Sequence, residues 1–511
     1  MIPAHLLSKM QRSFAVVATL LAVASVAHGQ YDLHTWPNRS TIVHLFEWRW
    51  EDVARECEDY LAPNNFAGIQ LSPVADHLRC DERGRPWWEV YQPLAYEIGT
   101  RSGSEADFAD MVSRCNAVGV RIIVDVVLNH MSGDWDPTIS ISGAVSDPAN
   151  RDYPGVPYTI EHFNPFCEAN NYQNAEIIRN CEIAQLHDLN TSIPYVRDKQ
   201  VEYLNKLIGH GVAGFRVDAA KHIWPEHLKD VMDRLNDLPV EQGFPAGARA
   251  FVAQEVIDFG TGEAVTKDEY YGIGLVTEFR YGSELGRAMR GQNPLKWYYN
   301  FGEEWGFAPS QYALVFNDNH DNQRGHGAGG QNVITYKDPK WYKQAQSFML
   351  AWPHGYPRII SSFDFVDPEV GPPMDVDENI LPVIINDDGT CGNGWVCEHR
   401  WNALTQMSNF RIAVQGSTNV TEWWDNGNNQ VAWSREGLGF IVINGEAGDL
   451  SETLKTGLPA GTYCDVISGK LENGACTGLT IEVAADGTAA ISLPGTSEDG
   501  VMATHVNAKL A

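Results

Sequence analysis

Basic residues and long apolar runs are scarce in this sequence. It has 37 Lys and Arg residues against 66 Asp and Glu residues, which gives a formal net charge of −29. Because such a surface repels polyanions, we exclude nucleic acid as a partner. Beyond residue 29 no uninterrupted apolar run reaches the ~20 residues of a membrane-spanning helix, so no membrane association is expected. Repeats and low-complexity tracts are also missing, and the 511 residues should form two or three globular domains.

The first 29 residues have the pattern of a secretory signal peptide. Lys9 and Arg12 precede an apolar run at 14–26, and Ala27-His28-Gly29 supplies a small-x-small cleavage pattern. The run has roughly 13 residues, which is short for a membrane span. A buried N-terminal helix is the alternative interpretation. We predict cleavage after Gly29 and export of the remaining chain to the extracellular space.

Nine cysteines in an exported chain are more typical of disulfides than of catalysis. Their odd number leaves at least one thiol without an intramolecular partner. Spacing alone does not assign the connectivity.

Strand-like apolar runs alternate with amphipathic helical stretches along most of the chain. Eight such runs predict a (β/α)₈ TIM barrel of the α/β class. They occupy 41–46, 66–71, 120–128, 212–217, 251–254, 274–277, 313–317 and 357–361.

Two regions depart from this alternation. The stretch after the third run is long and rich in Asn, Asp, Pro and Tyr, which indicates an inserted, loop-rich domain or a functional excursion. After about residue 416 short alternating strands separated by Gly and Asn turns predict an antiparallel β-sandwich domain. We therefore predict a barrel at 30–128 and 199–416, an inserted domain at 129–198 and a C-terminal domain at 417–511.

Three acidic residues each follow an apolar strand-like run: Asp218, Glu255 and Asp321. A carboxylate just past a barrel strand points into the cleft where such folds keep their chemistry. Hydrolysis of an acetal needs one acid to protonate the leaving oxygen and one carboxylate to attack the anomeric carbon or to activate water. Any one of the three is equally well explained as a surface charge. Together, in barrel order, they favour glycoside hydrolysis.

The neighbours of these residues suggest different roles. Period-2 alternation places Arg216 and Asp218 on one side of a strand, so the guanidinium should keep Asp218 ionised as a nucleophile requires. Glu255 lies in a hydrophobic stretch that should raise its pKa and keep it protonated as an acid. Asp321 follows an Asn-His pair and would hold sugar hydroxyls.

These segments resemble the conserved regions of the α-amylase family, glycoside hydrolase family 13, and in particular its secreted animal-type members. The resemblance spans almost all of the chain after the leader. It rests on Asp125-Val126-Val127-Leu128-Asn129-His130, Gly214-Phe215-Arg216-Val217-Asp218 and Asn317-Asp318-Asn319-His320-Asp321, and on segments 44–50, 85–89, 251–258, 324–330 and 461–469.

The resemblance implies an endo-acting enzyme on the α-1,4 bonds of starch, glycogen and malto-oligosaccharides. Asp218 would be the nucleophile, Glu255 the general acid/base and Asp321 a third carboxylate that stabilises the transition state. Family members retain the anomeric configuration through a covalent glycosyl-enzyme intermediate. We expect a monomer.

The resemblance also implies two ions. Calcium, which prefers oxygen ligands, would bind the amide of Asn129, the carboxylate of Asp188 and the backbone carbonyls of Arg179 and His222. Without the resemblance, the alternative interpretation is that Asn129 and Asp188 are ordinary turn-forming residues. Chloride would bind Arg216, Asn319 and Arg358, which would otherwise pass for structural ion-pair or hydrogen-bond partners.

Further residues match the family's substrate contacts and disulfides. The 325–330 glycine-rich run lacks the context of a phosphate-binding loop and suggests a flexible lid. Core packing is the alternative for the paired tryptophans. The substrate candidates are Trp87, Trp88, Tyr91, Gln92, His130, Lys221, His320 and His326. The implied disulfides are Cys57–Cys115, Cys167–Cys181, Cys391–Cys397 and Cys464–Cys476, with Cys80 left over, and Gly99 stands where many vertebrate relatives begin another disulfide.

Two other functions compete with this interpretation. The first is an enzyme of the same fold that mainly transfers glucosyl units, or that acts on sucrose or maltose from the chain end. The motif around Asp321 and the C-terminal domain favour the amylase. A noncatalytic relative that keeps the barrel would have lost catalytic residues, whereas all three carboxylates are present here.

Overall fold

The computed structural model describes residues 30–136 and 138–511, so the predicted signal peptide lies outside the described part. Eight parallel strands form a closed barrel in which each strand pairs with its sequence neighbours and β1 pairs with β8. This confirms the predicted barrel, and every predicted run contains or overlaps a strand. The strands are β1 (Ser40–Leu45), β2 (Phe66–Leu71), β3 (Arg121–Val127), β4 (Gly214–Asp218), β5 (Phe251–Gln254), β6 (Leu275–Glu278), β7 (Ala313–Val315) and β8 (Tyr356–Ser361).

Helices cover the outside of the barrel. Helix α2 begins with a capping box, because Ser104 and Asp107 each bind the other's backbone N–H. Prolines occupy the first turn of α4, α5 and α7, where a missing N–H costs nothing. The helices are α1 (Trp50–Glu56), α2 (Glu105–Ala117), α3 (Ala175–Asn180), α4 (Pro194–Gly209), α5 (Pro225–Asp233), α6 (Phe279–Met289), α7 (Pro339–Ala351) and α8 (Asn402–Ala413).

The barrel strands are buried almost throughout, since one face fills the barrel interior and the other packs under the helices. Their near-continuous apolar character follows from this double burial. Gly214, at the start of β4, allows a close approach to β5. A Cβ atom there would lie 2.3 Å from the carbonyl oxygen of Phe251.

The excursion between β3 and β4 is mostly irregular, although it contains α3 and the start of α4. Two antiparallel bridges close its base: His130 pairs with Asp188, and Phe163 pairs with Leu189. Inside it, the hydroxyl of Tyr153 donates to the carbonyl of Ser132. The excursion therefore returns to its starting point beside the carboxyl end of β3.

The C-terminal part is an antiparallel β domain. A four-stranded sheet with the order β9-β10-β11-β18 faces shorter strand pairs, and a separate hydrophobic core fills the space between them. The strands are β9 (Thr421–Asp425), β10 (Gln430–Ser434), β11 (Gly439–Asn444), β12 (Leu450–Lys455), β13 (Gly461–Cys464), β14 (Leu471–Glu472), β15 (Ala475–Cys476), β16 (Thr480–Val483), β17 (Thr488–Leu493) and β18 (Val501–His505).

This domain packs against α7. Trp433 is fully buried, and the centroid of its ring lies 5.0 Å from that of Phe348 and 5.6 Å from that of Trp352. The side chain of Gln344 donates to the carbonyl of Asn444 at 2.8 Å. An apolar contact and a buried hydrogen bond thus connect barrel and β domain.

The described residues contain four disulfides, and each joins a pair that the family resemblance implies: Cys57–Cys115, Cys167–Cys181, Cys391–Cys397 and Cys464–Cys476. Cys80 is a buried free thiol. None of the helices in the described residues is long and apolar enough to cross a membrane.

Candidate active site

Two of the three candidate carboxylates sit at the carboxyl ends of adjacent strands. Asp218 is the last residue of β4, and Glu255 follows β5 directly. Asp321 lies in the loop beyond β7. Asp218 and Glu255 are 9% and 8% exposed, so both are accessible only from the cleft.

The guanidinium of Arg216 joins the carboxylates. Its Nη1 donates to Asp218 at 2.6 Å and to both oxygens of Asp125 at 2.9 Å. Its Nη2 lies 2.6 Å from Glu255. Asp125 lies opposite Arg216 in the parallel register of β3 and β4, which explains the pairing. One buried cation therefore contacts three buried carboxylates.

Burial dominates the electrostatics of this cluster. It raises the pKa of Glu255, as expected for an acid, while Arg216 opposes the rise. It also raises the pKa of Asp218 above its ordinary value, although Arg216 lowers it. The guanidinium was the basis for expecting Asp218 to stay ionised, whereas burial acts in the opposite direction. Burial raises the pKa of Asp125 to about 7.

A strained residue orients the carboxyl group of Glu255. Ala219 has a left-handed backbone (φ 47°, ψ 31°), which is uncommon for a residue with a side chain. Its N–H donates to Oε2 of Glu255 at 2.9 Å. The chain turn after Asp218 thus fixes the position of the candidate acid on the next strand.

A reciprocal pair of side-chain hydrogen bonds between Asn319 and Asn322 fixes the loop that carries Asp321. Each of Asn319 and Asn322 accepts the other's backbone N–H at 2.8 Å. Asn319 also donates to Oδ2 of Asp321 at 3.3 Å, and Nε2 of His320 lies 3.2 Å from the same atom. Burial and the charge of Glu255 raise the pKa of Asp321 well above its usual range.

The residues expected to bind chloride lie beside this cluster. Arg358 is 2% exposed, donates to Gln70 at 2.7 Å and forms no ion pair with any carboxylate in the described chain. Burial and the charge of Arg216 lower the pKa of Arg358 to about 10. The Nε of Arg216 is buried without an acceptor. The charge of Arg358, which no carboxylate pairs with, and the unused Nε donor of Arg216 fit a small anion.

Asn129 and Asp188, two of the residues expected to bind calcium, lie at the base of the excursion, where the carbonyl of Asn129 accepts from Leu189. Oδ1 of Asp188 is buried without a hydrogen-bond partner, while its Oδ2 accepts from Asn164 at 2.7 Å. The ring of His222 contacts the carbonyl of Ile178 at 2.7 Å, which brings the segment after β4 to α3. Within the described ranges no cluster of three His, Cys, Asp or Glu side chains could hold a metal. An ion here would depend on one carboxylate, an amide and backbone carbonyls, a donor set that suits Ca²⁺.

The side chain of Arg179, the remaining candidate at this site, points away from such an ion. It donates to Glu269 at 2.8 Å and packs on the ring of Trp224. Only its backbone carbonyl is left to act as a ligand.

A cavity of about 410 Å³ opens beside Glu255. Lys221 lines it, bonded to Glu263 and to the carbonyl of Ile257, and the glycine-rich run borders it through Gly327 and Ala328. Its size lies within the range of small-molecule sites.

The rim on the other side carries an indole pair. Trp88 stacks on Trp135 with ring centroids 5.7 Å apart. Glu369 accepts from Nε1 of Trp88 at 2.8 Å and contacts Nε2 of His326 at 2.9 Å. Glu369 thus joins the glycine-rich run to the indole pair.

The other substrate candidates lie beneath this rim. Trp87 is only 5% exposed and packs against His320. Tyr91 stacks on His320 and donates to Asp125 at 3.0 Å, and its carbonyl contacts His130. Burial lowers the pKa of His130 to about 4, so this imidazole is neutral at physiological pH.

Gln92 connects two neighbouring segments. Its Oε1 accepts from Nε1 of Trp135 at 2.8 Å and from the backbone of Gly133 at 3.1 Å. Its oxygen therefore holds the indole pair in place.

Sequence reasoning assigned no role to Asp125, Glu263, Glu369 or Trp135. Asp125 carried a usable signal, because it is a charged residue inside the apolar run of β3, where it lies opposite Arg216 of β4. Glu369 and Trp135 come from loops with no periodic pattern.

Comparison with known proteins gives the family. The pattern of the α-amylase catalytic domain matches residues 56–359, and that of the α-amylase C-terminal all-β domain matches residues 423–507. The α-amylase-related protein of Drosophila auraria is 52% identical over 97% of this chain and 99% of its own length. That of Drosophila dossoui is 51% identical over the same shares.

Solved structures of known proteins are also similar to this chain. A mutant of α-amylase I from Eisenia fetida in complex with maltohexaose has a TM-score of 0.88 at 43% identity, covering 94% of this chain and 99% of that one. Gamma-CGTase from alkalophilic Bacillus clarkii shares the fold alone, with 17% identity and a TM-score of 0.64 over 93% of this chain and 71% of that one. Since the catalytic-domain pattern spans more than half of the sequence and the relatives match it almost end to end, the chain belongs to the α-amylase family and is a glycoside hydrolase.

Proposed function

We propose that the protein is an exported, monomeric α-amylase that hydrolyses internal α-1,4 bonds of starch, glycogen and malto-oligosaccharides with retention of configuration. The observation that carries the proposal is the contact of one guanidinium with both Asp218 and Glu255. Sharing a partner keeps the two carboxyl groups close, as a retaining glycosidase requires. Four disulfides support export.

In the proposed mechanism, Asp218 attacks the anomeric carbon while Glu255 gives its proton to the leaving oxygen. This forms a covalent glycosyl-enzyme on Asp218 and releases the reducing-side fragment. Glu255, now a carboxylate, takes a proton from water, which attacks the same carbon and restores Asp218. Asp321 binds hydroxyls of the distorted sugar. The raised pKa of Glu255 supports its role as acid.

Assays on soluble starch and maltohexaose test this function. We expect new reducing ends, a fast fall in iodine staining that marks internal cleavage, and α-configured products in the first minutes of an NMR time course. Products longer than the maltohexaose supplied, formed at the same rate as hydrolysis products, would instead indicate a transferase. Absence of any cleavage would favour a noncatalytic relative.

Calcium is proposed to bind Asn129, Asp188 and the carbonyls of Arg179 and His222. When bound, the ion would supply charge that offsets Asp188 and would hold the excursion to the barrel. We expect exhaustive chelation to lower the melting temperature and the starch-hydrolysing activity together, because an ion that binds only the folded chain stabilises it. Calorimetry with and without added CaCl₂ measures this.

A pair of variants localises the effect. Asp188→Asn should lose the calcium-dependent rise in melting temperature, whereas Asp152→Asn, an exposed carboxylate of the same excursion, should keep it. Elemental analysis confirms removal of the ion. A calcium-free protein that melts at the original temperature would contradict the site.

Chloride is proposed to bind Arg216, Asn319 and Arg358. Without the anion, two guanidinium charges act on Glu255 and lower its pKa. An acid with a lower pKa loses its proton at a lower pH. The basic limb of the pH–activity profile should therefore move to lower pH, and activity at neutral pH should fall. Profiles with chloride, or with gluconate at equal ionic strength, measure the shift.

Arg358→Gln removes one of these charges and one anion ligand at once. The variant should retain measurable activity but lose most of its response to chloride. Arg197→Gln, which alters an arginine bonded to Asp230 on the barrel exterior, is the control and should respond like the wild type. Full chloride activation of Arg358→Gln at an unchanged half-saturating concentration would show that Arg358 is not a ligand.

A further inference from the structure

A second cavity lies at the end of the barrel opposite the carboxylates. It has a volume of about 310 Å³ and is bordered by the first residues of β1 and β8, by the end of α8 and by the chain that leads into the C-terminal domain. Exposed Gln415 and Thr418 line it, so it is open to solvent. No step of the proposed hydrolysis uses this cavity.

Three arginines line this cavity: Arg39, Arg411 and Arg435. All their hydrogen bonds in the described chain go to backbone carbonyls, and none of the three forms an ion pair with a carboxylate. The adjacent Glu436 is exposed and accepts from Asn419 instead. In a protein with a net charge of −29, this cavity is a local concentration of unbalanced positive charge.

Helix capping accounts for only part of this charge. Arg411 donates to the carbonyl of Trp352 at 2.9 Å, and Arg435 donates to that of Ala351 at 2.6 Å, both at the end of α7. A helix C-terminus carries the equivalent of about half a negative charge. Two full positive charges exceed that amount. Arg39 donates to the carbonyl of Val118 at the end of α2, so three positive charges face two helix termini.

Arg435 also has an unused donor. Its side chain is 3% exposed, and its Nε is buried without a hydrogen-bond acceptor. Burial and the charge of Arg411 lower the pKa of Arg435 to about 10. Hydroxyl groups of Thr35, Ser310 and Thr418 complete the lining.

We propose that this cavity binds a phosphate-type oxyanion, either free or as the monoester of a small hydroxylated molecule. The planar guanidinium group matches the geometry of phosphate oxygens and donates to two of them at once. The volume is at the lower limit of small-molecule sites and leaves room for a small ester. A ligand there would join Arg411 of the barrel to Arg435 of the C-terminal domain.

Isothermal titration calorimetry tests the site with inorganic phosphate and with glycerol 3-phosphate, at constant ionic strength and constant chloride. Wild type should bind one equivalent saturably. Gln415→Glu adds a tethered carboxylate to the lining without changing side-chain shape, and should weaken binding at least about tenfold through charge repulsion. Gln292→Glu adds the same charge at an exposed position outside the cavity and should bind within about twofold of wild type.

Starch hydrolysis should be unchanged in both variants. Tighter binding of glycerol 3-phosphate than of phosphate would identify a monoester as the ligand, and the reverse order would identify the free ion. Lack of saturable binding by wild type would overturn the proposal. Equal affinity of Gln415→Glu and wild type, or equal weakening in both variants, would also overturn it, because the anion would then bind elsewhere or respond only to net charge.

Discussion

Glu255→Gln is expected to reduce starch hydrolysis by at least ~10³-fold, since the amide keeps the shape of the side chain but has no proton to give to the leaving oxygen. Asp218→Asn should have an effect of the same order, because the amide is a poor nucleophile. Initial rates of reducing-end formation measure both. Neither change removes a hydrophobic contact, so both variants should fold.

Two controls make this result specific. Glu202→Gln alters an exposed carboxylate on α4 and should retain wild-type activity. Circular dichroism and melting curves should show that the two cleft variants keep the native fold. If either retained more than a tenth of wild-type activity, its assignment as acid or nucleophile would be wrong.

Arg216→Met is expected to cause the largest loss of stability. Removing one partner of a buried ion pair costs about 3–5 kcal/mol, and Arg216 is the cation for Asp125, Asp218 and Glu255 together. Without it, the folded-state pKa values of these carboxyls rise further, so the folded chain binds more protons than the unfolded chain. The loss relative to wild type should therefore grow as the pH rises above the wild-type folded-state pKa values, which include that of Asp125 at about 7.

Urea unfolding of the same variant at pH 5 and pH 8 measures both the loss and its pH dependence. Arg358→Gln is the matched control, since it removes a buried arginine from the same barrel interior that has no carboxylate partner. Its loss should be much smaller and should grow less toward high pH, because Arg358 lowers the pKa of Glu255 without pairing with any of these carboxylates. Equal losses in the two variants would show that packing, and not charge pairing, explains the role of Arg216.

The barrel was predictable because its strands are buried on both faces. Runs such as 66–71 and 251–254 are mostly apolar, with one glutamine each, and match β2 and β5 at both ends. Asp218 and Glu255 were predictable for the same reason, since a charge at the end of an apolar run is conspicuous. Barrel topology then brings the ends of adjacent strands together.

Contacts between distant segments were not predictable in this way. Glu369 meets Trp88 and His326 across 281 and 43 residues of sequence, and no periodic pattern links the three. The pKa of Asp218 shows a second limit. Its sequence neighbour Arg216 is visible in the sequence, but the degree of burial depends on the whole cleft. Local sequence patterns therefore predict the ion-pair partner of a titratable side chain better than they predict its burial.

The seam between β1 and β8 has a consequence for how the chain is made. Ile42 pairs with Arg358, and Leu45 pairs with Ser361. More than three hundred further residues must therefore be synthesised after β1 before its second neighbour, β8, is available for pairing. Such distant pairing slows folding. Until β8 is synthesised, both β1 and β7 present unpaired edges, which are templates for aggregation. A nascent chain of this protein therefore needs protection of those edges, and truncation before residue 356 should yield aggregates rather than a smaller enzyme.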